Sequence, residues 1–177
     1  MKRILLSFCT ITFIVSQLSA QFNLELGFSF NSPTSDFSDV YEIGAGAYLE
    51  PAYAINENVN VGIQFGGNGF AGSEIGSTSG KVDATVVVPV LVKGKYAFLD
   101  SKVSPYLGFG TGMYFAKVAT FSESALGGSE QSEENISEFG IAPSLGVNIG
   151  RTNLGVTYHS AGDITFLQFI LGVKIID

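Results

Sequence analysis

The stretch "QFNLELGFSFN", Gln21 to Asn31, alternates almost without error. Phe22, Leu24, Leu26, Phe28 and Phe30 share one parity, and Asn23, Glu25, Gly27, Ser29 and Asn31 share the other. A period of two puts successive side chains on opposite faces of a β-strand. The pattern leaves open which face is inside. In a soluble sandwich the Phe/Leu face packs a core. In a membrane barrel that face meets lipid and the polar face lines the interior.

The same pattern recurs down the chain. "VYEIGAGAYLEPAYAI" sets Tyr41, Ile43, Ala45, Ala47 and Leu49 against Glu42, Gly44, Gly46, Tyr48 and Glu50. "NVNVGIQFGGNGF" sets Val59, Val61, Ile63 and Phe65 against Asn60, Gly62, Gln64 and Gly66. "KVDATVVVPVLVKGKYAF" puts Asp83, Thr85 and Lys93 opposite a run of valines, and "VSPYLGFGTGMYFAKVAT" puts Tyr106 and Tyr114 opposite Leu107, Phe109, Met113 and Phe115. "ISEFGIAPSLGVNI", "NLGVTYHS" and "ITFLQFILGVKI" continue the series, with Glu138, His159, Gln168 and Lys174 on the polar parity. Eight strands in sequence, with no helical segment between them, form a meander. "INEN", "LDSK" and "GRTN" are short turns, whereas "SPTSDFSD", "AGSEIGSTSG" and "FSESALGGSEQSEEN" are longer. Alternate connections lie at the same end of a barrel, so short turns gather at one end and long loops at the other. "AGD", at the long-loop end, is the exception.

Before the first strand, "MKRILLSFCTITFIVSQLSA" has a basic head at Lys2 and Arg3, an apolar run from Ile4 to Val15, and small residues up to Ala20. This is the pattern of a cleaved signal peptide over 1–20, leaving 21–177 as one domain. The single Cys, Cys9, lies in that leader, so disulfides are not expected. Loss of Lys2 and Arg3 leaves seven basic residues against sixteen acidic ones, a net charge of −9. That balance disfavours nucleic acid and anionic lipid as partners. Charged residues are only 14% of the chain and mean hydropathy is +0.33. So apolar a composition, without an apolar run long enough for a spanning helix, fits a spanning barrel, where alternation dilutes the signal.

The polar parity carries Glu25, Glu42, Tyr48, Glu50, Gln64, Asp83, Lys93, Tyr106, Tyr114, Glu138, Gln168 and Lys174, which are the expected lumen-lining residues. The other parity is almost unbroken Val, Leu, Ile and Phe. The expected fold is therefore all-β: an eight-stranded antiparallel up-and-down transmembrane barrel. The chain resembles the eight-stranded outer-membrane barrels of Gram-negative bacteria, the OmpX/OmpA-transmembrane/OmpW type. It is most similar to the small outer membrane protein β-barrel domain proteins of Bacteroidetes. The resemblance covers the whole chain: the leader ending "LSAQ", the Gly-rich meander, "SPYLGFGTGMYF" and the closing "LGVKI". It implies outer-membrane localisation, with outer-membrane lipid, the barrel-assembly machinery and an extracellular or envelope protein as partners, and a monomeric state.

Candidate chemistry is sparse. His159 has Ser160 and Asp163 beside it, but Ser160 points to the opposite strand face and a triad must converge. A polar rim histidine is the favoured reading. Glu123, Glu130, Glu133 and Glu134 offer oxygen ligands for a hard cation, yet they lack calcium-loop spacing and read as a solvated loop. "GFGTG" (residues 108–112) lacks the following helix of a phosphate loop. Tyr48, Tyr106 and Tyr114 with Gln64 and Gln168 could line a pocket for a small amphiphile. Filling of a narrow lumen is preferred. The expected function is a structural, adhesive or surface-interaction barrel with no catalysis, cofactor or metal. A narrow porin-like channel for small hydrophobic molecules and a secreted lipocalin-like binding barrel are the alternatives. Glu25 and Lys174 are expected to approach each other inside the closed barrel, with Glu50 and Lys93 from the same end.

Overall fold

The computed structural model describes residues 21–72, 74–75, 80–82, 84–123 and 129–176. Eight strands form the barrel: β1 (Phe22–Pro33), β2 (Tyr41–Ala54), β3 (Val59–Gly72), β4 (Thr85–Ala97), β5 (Val103–Glu123), β6 (Ser129–Ile149), β7 (Thr152–Ala161) and β8 (Ile164–Ile176). Every ladder among these eight strands is antiparallel and joins chain neighbours, except the seam. There β1 pairs with β8, from Leu24 opposite Ile176 to Pro33 opposite Phe166, and the barrel closes. Closure removes sheet edges, which in hydrocarbon would carry unsatisfied N–H and C=O groups. The expected signal peptide, with Cys9, lies outside the described residues, as does Asp83.

The apolar parity faces outward. Phe28 is 74% exposed and Phe139 67% exposed, and Leu107, Phe109, Leu145 and Leu171 are exposed on other strands. This is the reverse of a lipocalin-like barrel. The inside is filled instead by polar and aromatic groups, among them Glu25, Glu50, Gln64, Lys93, Asn68, His159, Tyr114 and Phe166. Tyr48 needs small neighbours to fit there. A Cβ at Gly27 or Gly172 would collide with its ring or hydroxyl. Tight turns close two hairpins, and Gly150 (φ 58°) and Gly162 (φ 55°) hold left-handed positions that favour glycine.

Several sequence expectations need correction. One helical turn, α1 (Phe37–Val40), interrupts the meander between β1 and β2 and buries Phe37. A bulge lies between Tyr41 and Gly44, which are three residues apart but oppose Gly72 and Phe70, two apart. The extra residue lets Glu42 and Ile43 both face outward, so Tyr41 turns inward and is buried. Glu42 is therefore not a lumen residue. The acidic segment Phe121–Asn135, read as a loop, is mostly ladder. Phe121 opposes Gln131 and Glu123 opposes Ser129. Backbone pairing there is indifferent to the Gly/Ser/Glu composition that suggested a loop. The side chains of Glu123, Glu130, Glu133 and Glu134 lie outside what the structure describes. Part of the loop between β3 and β4 is also paired: Glu74–Ile75 with Gly80–Val82, and Gly80–Val82 with β5.

Candidate functional site

The lumen is built in tiers. Nearest the short turns, β1 supplies Glu25, β2 Glu50, and β4 both Lys93 and Lys95. Lys95 Nζ lies 2.7 Å from Glu50 Oε1 and 3.4 Å from Glu25 Oε2, and Lys93 Nζ lies 3.6 Å from Glu50 Oε2. Two carboxylates thus face two ammonium groups, and both glutamates are only 3% exposed. A charge in so dry a place needs partners for every lone pair. Glu25 Oε1 accepts from Tyr48 Oη (2.5 Å) and from Asn153 Nδ2 (2.8 Å). Tyr106 donates to Asn153 Oδ1 at 2.9 Å, and its ring lies 5.6 Å from Lys95 Nζ. Gln64 Nε2 donates to Glu50 Oε2 at 3.4 Å.

Lys174 stands opposite Glu25 in the seam and lines a small cleft of about 20 Å³ at this mouth, with Glu25, Glu50 and Lys95. Lys95 was missed by sequence reasoning, although it has the inward parity of Lys93 two residues earlier.

The middle tier is uncharged. Asn68 Oδ1 accepts from Asn31 Nδ2 (3.0 Å), Gln168 Nε2 (2.9 Å) and Ser29 Oγ (3.3 Å). Because the Gln168 amide nitrogen is so committed, its Oε1 faces His159 Nε2 at 3.1 Å. Nε2 therefore donates, and His159 Nδ1 accepts from Tyr114 Oη at 2.8 Å. His159 is not at the rim: it is fully buried. Its ring stacks on Phe166 with centroids 4.4 Å apart and planes 9° off parallel. Its polar partners are thus Tyr114 and Gln168. Ser160 opposes Thr165 in the β7–β8 ladder, and Asp163 sits exposed in the turn. Among the described residues, no hydrolytic arrangement converges on this imidazole.

The upper tier is aromatic. Phe166 meets Phe70 (5.1 Å), Phe70 meets Phe37 (5.2 Å), and Phe37 meets Tyr41 (4.7 Å). The helical turn α1 thereby folds an aromatic lid into the long-loop end of the barrel. Of the other expected lumen residues, Tyr48, Glu50, Gln64, Lys93, Tyr106, Tyr114 and Gln168 are buried inside. Glu138 has inward parity, opposite Tyr114, but is exposed at the long-loop rim, where its carboxylate lies close to Gly162. Among the described residues, no group of three or more His, Cys, Asp or Glu side chains is placed to hold a metal.

No protein-family model matches the chain, and no curated protein matches it. Solved structures do. Neisserial surface protein A (NspA) superposes with a TM-score of 0.57 at 15% identity, over 88% of this chain and 97% of that one. Ail, the attachment invasion locus protein of Yersinia pestis, superposes with a TM-score of 0.51 at 19% identity in its complex with the heparin analogue sucrose octasulfate, over 87% of this chain and 96% of that one. The architecture of this chain is thus that of a complete small β-barrel, closed by eight antiparallel strands in up-and-down order.

Proposed function

We propose that the chain is an integral outer-membrane barrel with no catalytic role, which holds its long-loop end outward as a structural or surface-interaction module. The observation that carries this reading is the filled lumen. An ionic tier, an amide tier and an aromatic tier occupy successive levels between the two mouths. An eight-stranded barrel has just enough room for such side chains. The exposed apolar band supports lipid as its surroundings, and strands of 10 to 21 residues are long enough for the roughly 9–11 that a tilted span requires. The filling argues against a channel for small hydrophobic molecules.

The long-loop end also speaks to the partner. Asp36, Asp39, Glu42, Glu138 and Asp163 are all exposed there. A polyanion of the kind bound to Ail would meet like charge at this mouth, so the external partner is better sought among neutral or cationic surfaces. The refolded protein in planar bilayers tests the reading: no conductance above the lipid background is expected. Stepwise channel currents would overturn it. Fractionation with outer membranes and a heat-modifiable shift on gels are the accompanying expectations.

A further inference from the structure

Between α1 and the long-loop ends of β4, β5, β6 and β8 lies a cavity of about 300 Å³. Its floor is the aromatic lid, with Phe37 and Tyr41, and its walls include Ala116 and Ile136. Thr85, Asp36 and Asp163 also line it, and both aspartates are exposed. Asp36 makes no side-chain capping bond to the helical turn it precedes, and neither aspartate enters an ion pair among the described residues. Small-molecule sites share this build: a mostly apolar hollow of a few hundred cubic ångströms with a few polar groups that fix orientation. The short-turn mouth offers only about 20 Å³.

We propose that this cavity binds a small organic cation with an apolar body, such as an aromatic or alkyl ammonium compound. Three features converge on that class. The hollow is lined mainly by carbon, which favours an apolar body. The charged groups in the lining are both carboxylates, beside the Tyr41 and Thr85 hydroxyls, and Asp39, Glu42 and Glu138 around the same mouth outnumber the exposed Lys117 there, so the field is negative. Two aromatic rings, Phe37 and Tyr41, belong to the lining, and aromatic rings attract ammonium groups over their faces.

The full chain, folded in maltoside micelles, should be titrated with benzyltrimethylammonium by calorimetry, with protein-free micelles subtracted. Saturable one-to-one binding is expected, and benzenesulfonate, an anion with a similar apolar body, should not bind. Asp36→Asn combined with Asp163→Asn should weaken binding at least about tenfold. Glu57→Gln, in the opposite turn, should leave it unchanged. Ala116→Phe, which fills the cavity, should abolish it. Should that variant lose its heat-modifiable migration, the two aspartate changes decide alone, because both side chains are exposed. Absence of saturable binding, equal binding of the anion, or undiminished affinity in the double Asn variant would overturn the proposal.

Discussion

Glu25 stands opposite Lys174 across the seam that closes the barrel, and its carboxylate also reaches Lys95, 3.4 Å away on β4. Lys95 bridges both buried glutamates, whereas Lys93 meets only Glu50. Removing one member of such a cluster strands the others, at a cost of about 3–5 kcal/mol. Lys95→Met should therefore destabilise more than Lys93→Met. Glu25→Gln combined with Lys95→Met should cost clearly less than the sum of the single changes. Urea unfolding of the four proteins in lipid vesicles measures the coupling, and additive losses would count against a shared network.

Charge on the outer face should act differently. Val88 and Phe109 are exposed near mid-strand. Lys at either position should destabilise the inserted state by roughly 2–4 kcal/mol if it sits at the membrane midplane. Gly110 faces inward, where a new Cβ would come within 2.9 Å of Lys93 Cγ. Gly110→Ala should be harmful through crowding, in micelles as much as in bilayers, whereas the lysine penalty should grow with bilayer thickness. An innocuous Val88→Lys in vesicle folding assays would show that the faces are reversed.

The cradle of Tyr48 separates two kinds of collision. A methyl group at Gly172 meets the Tyr48 hydroxyl first, and one at Gly27 meets ring carbons as well. Overpacking of this sort costs about 1–3 kcal/mol. In a Tyr48→Phe background the Gly172→Ala penalty should shrink and the Gly27→Ala penalty should persist. The comparison needs only denaturant midpoints for the two pairs.

His159→Ala should be a stability mutation. It empties the space above Phe166, removes the partner of the Gln168 carbonyl, and leaves the Tyr114 hydroxyl only its longer bond to Ile141 O (3.4 Å). Unpaired buried groups cost about 1–3 kcal/mol each. A lower unfolding midpoint is expected, with normal outer-membrane fractionation at low temperature. An unchanged midpoint would mean that the stacked, doubly bonded ring is not formed.

Orientation can be read by labelling. In a Cys9→Ser background, a cysteine at Asp39, within α1, should react with a membrane-impermeant maleimide on whole cells. One at Glu57, in the turn between β2 and β3, should react only after the outer membrane is opened. The opposite pattern would invert the barrel.

Parity alone carried the sequence reading a long way. Tyr48, Gln64, Lys93, Tyr106 and Gln168 lie inside because each falls on the polar side of an unbroken alternation. The reading failed where alternation is not the governing rule. The bulge before Gly44 moved Glu42 outward, and no residue type announced it. The β5–β6 hairpin runs on through Ser and Glu residues because its hydrogen bonds belong to the backbone. His159 had the right parity but the wrong depth. Its burial depends on Phe166, Tyr114 and Phe70 meeting across three other strands, a coincidence in space that no linear pattern records.

The ionic tier bears on assembly. Its charged members come from β1, β2 and β4 and its Asn153 from β7, while each ladder between the eight barrel strands, except the seam, joins strands adjacent in the chain. Hairpins can therefore form early and locally, but no single hairpin can neutralise the charges it carries. A lone β1–β2 hairpin entering hydrocarbon would bring Glu25 and Glu50 with it uncompensated, and a lone β3–β4 hairpin would bring Lys93 and Lys95. The first two hairpins must therefore meet before the tier is electroneutral, which favours insertion of β1 to β4 as one unit rather than hairpin by hairpin.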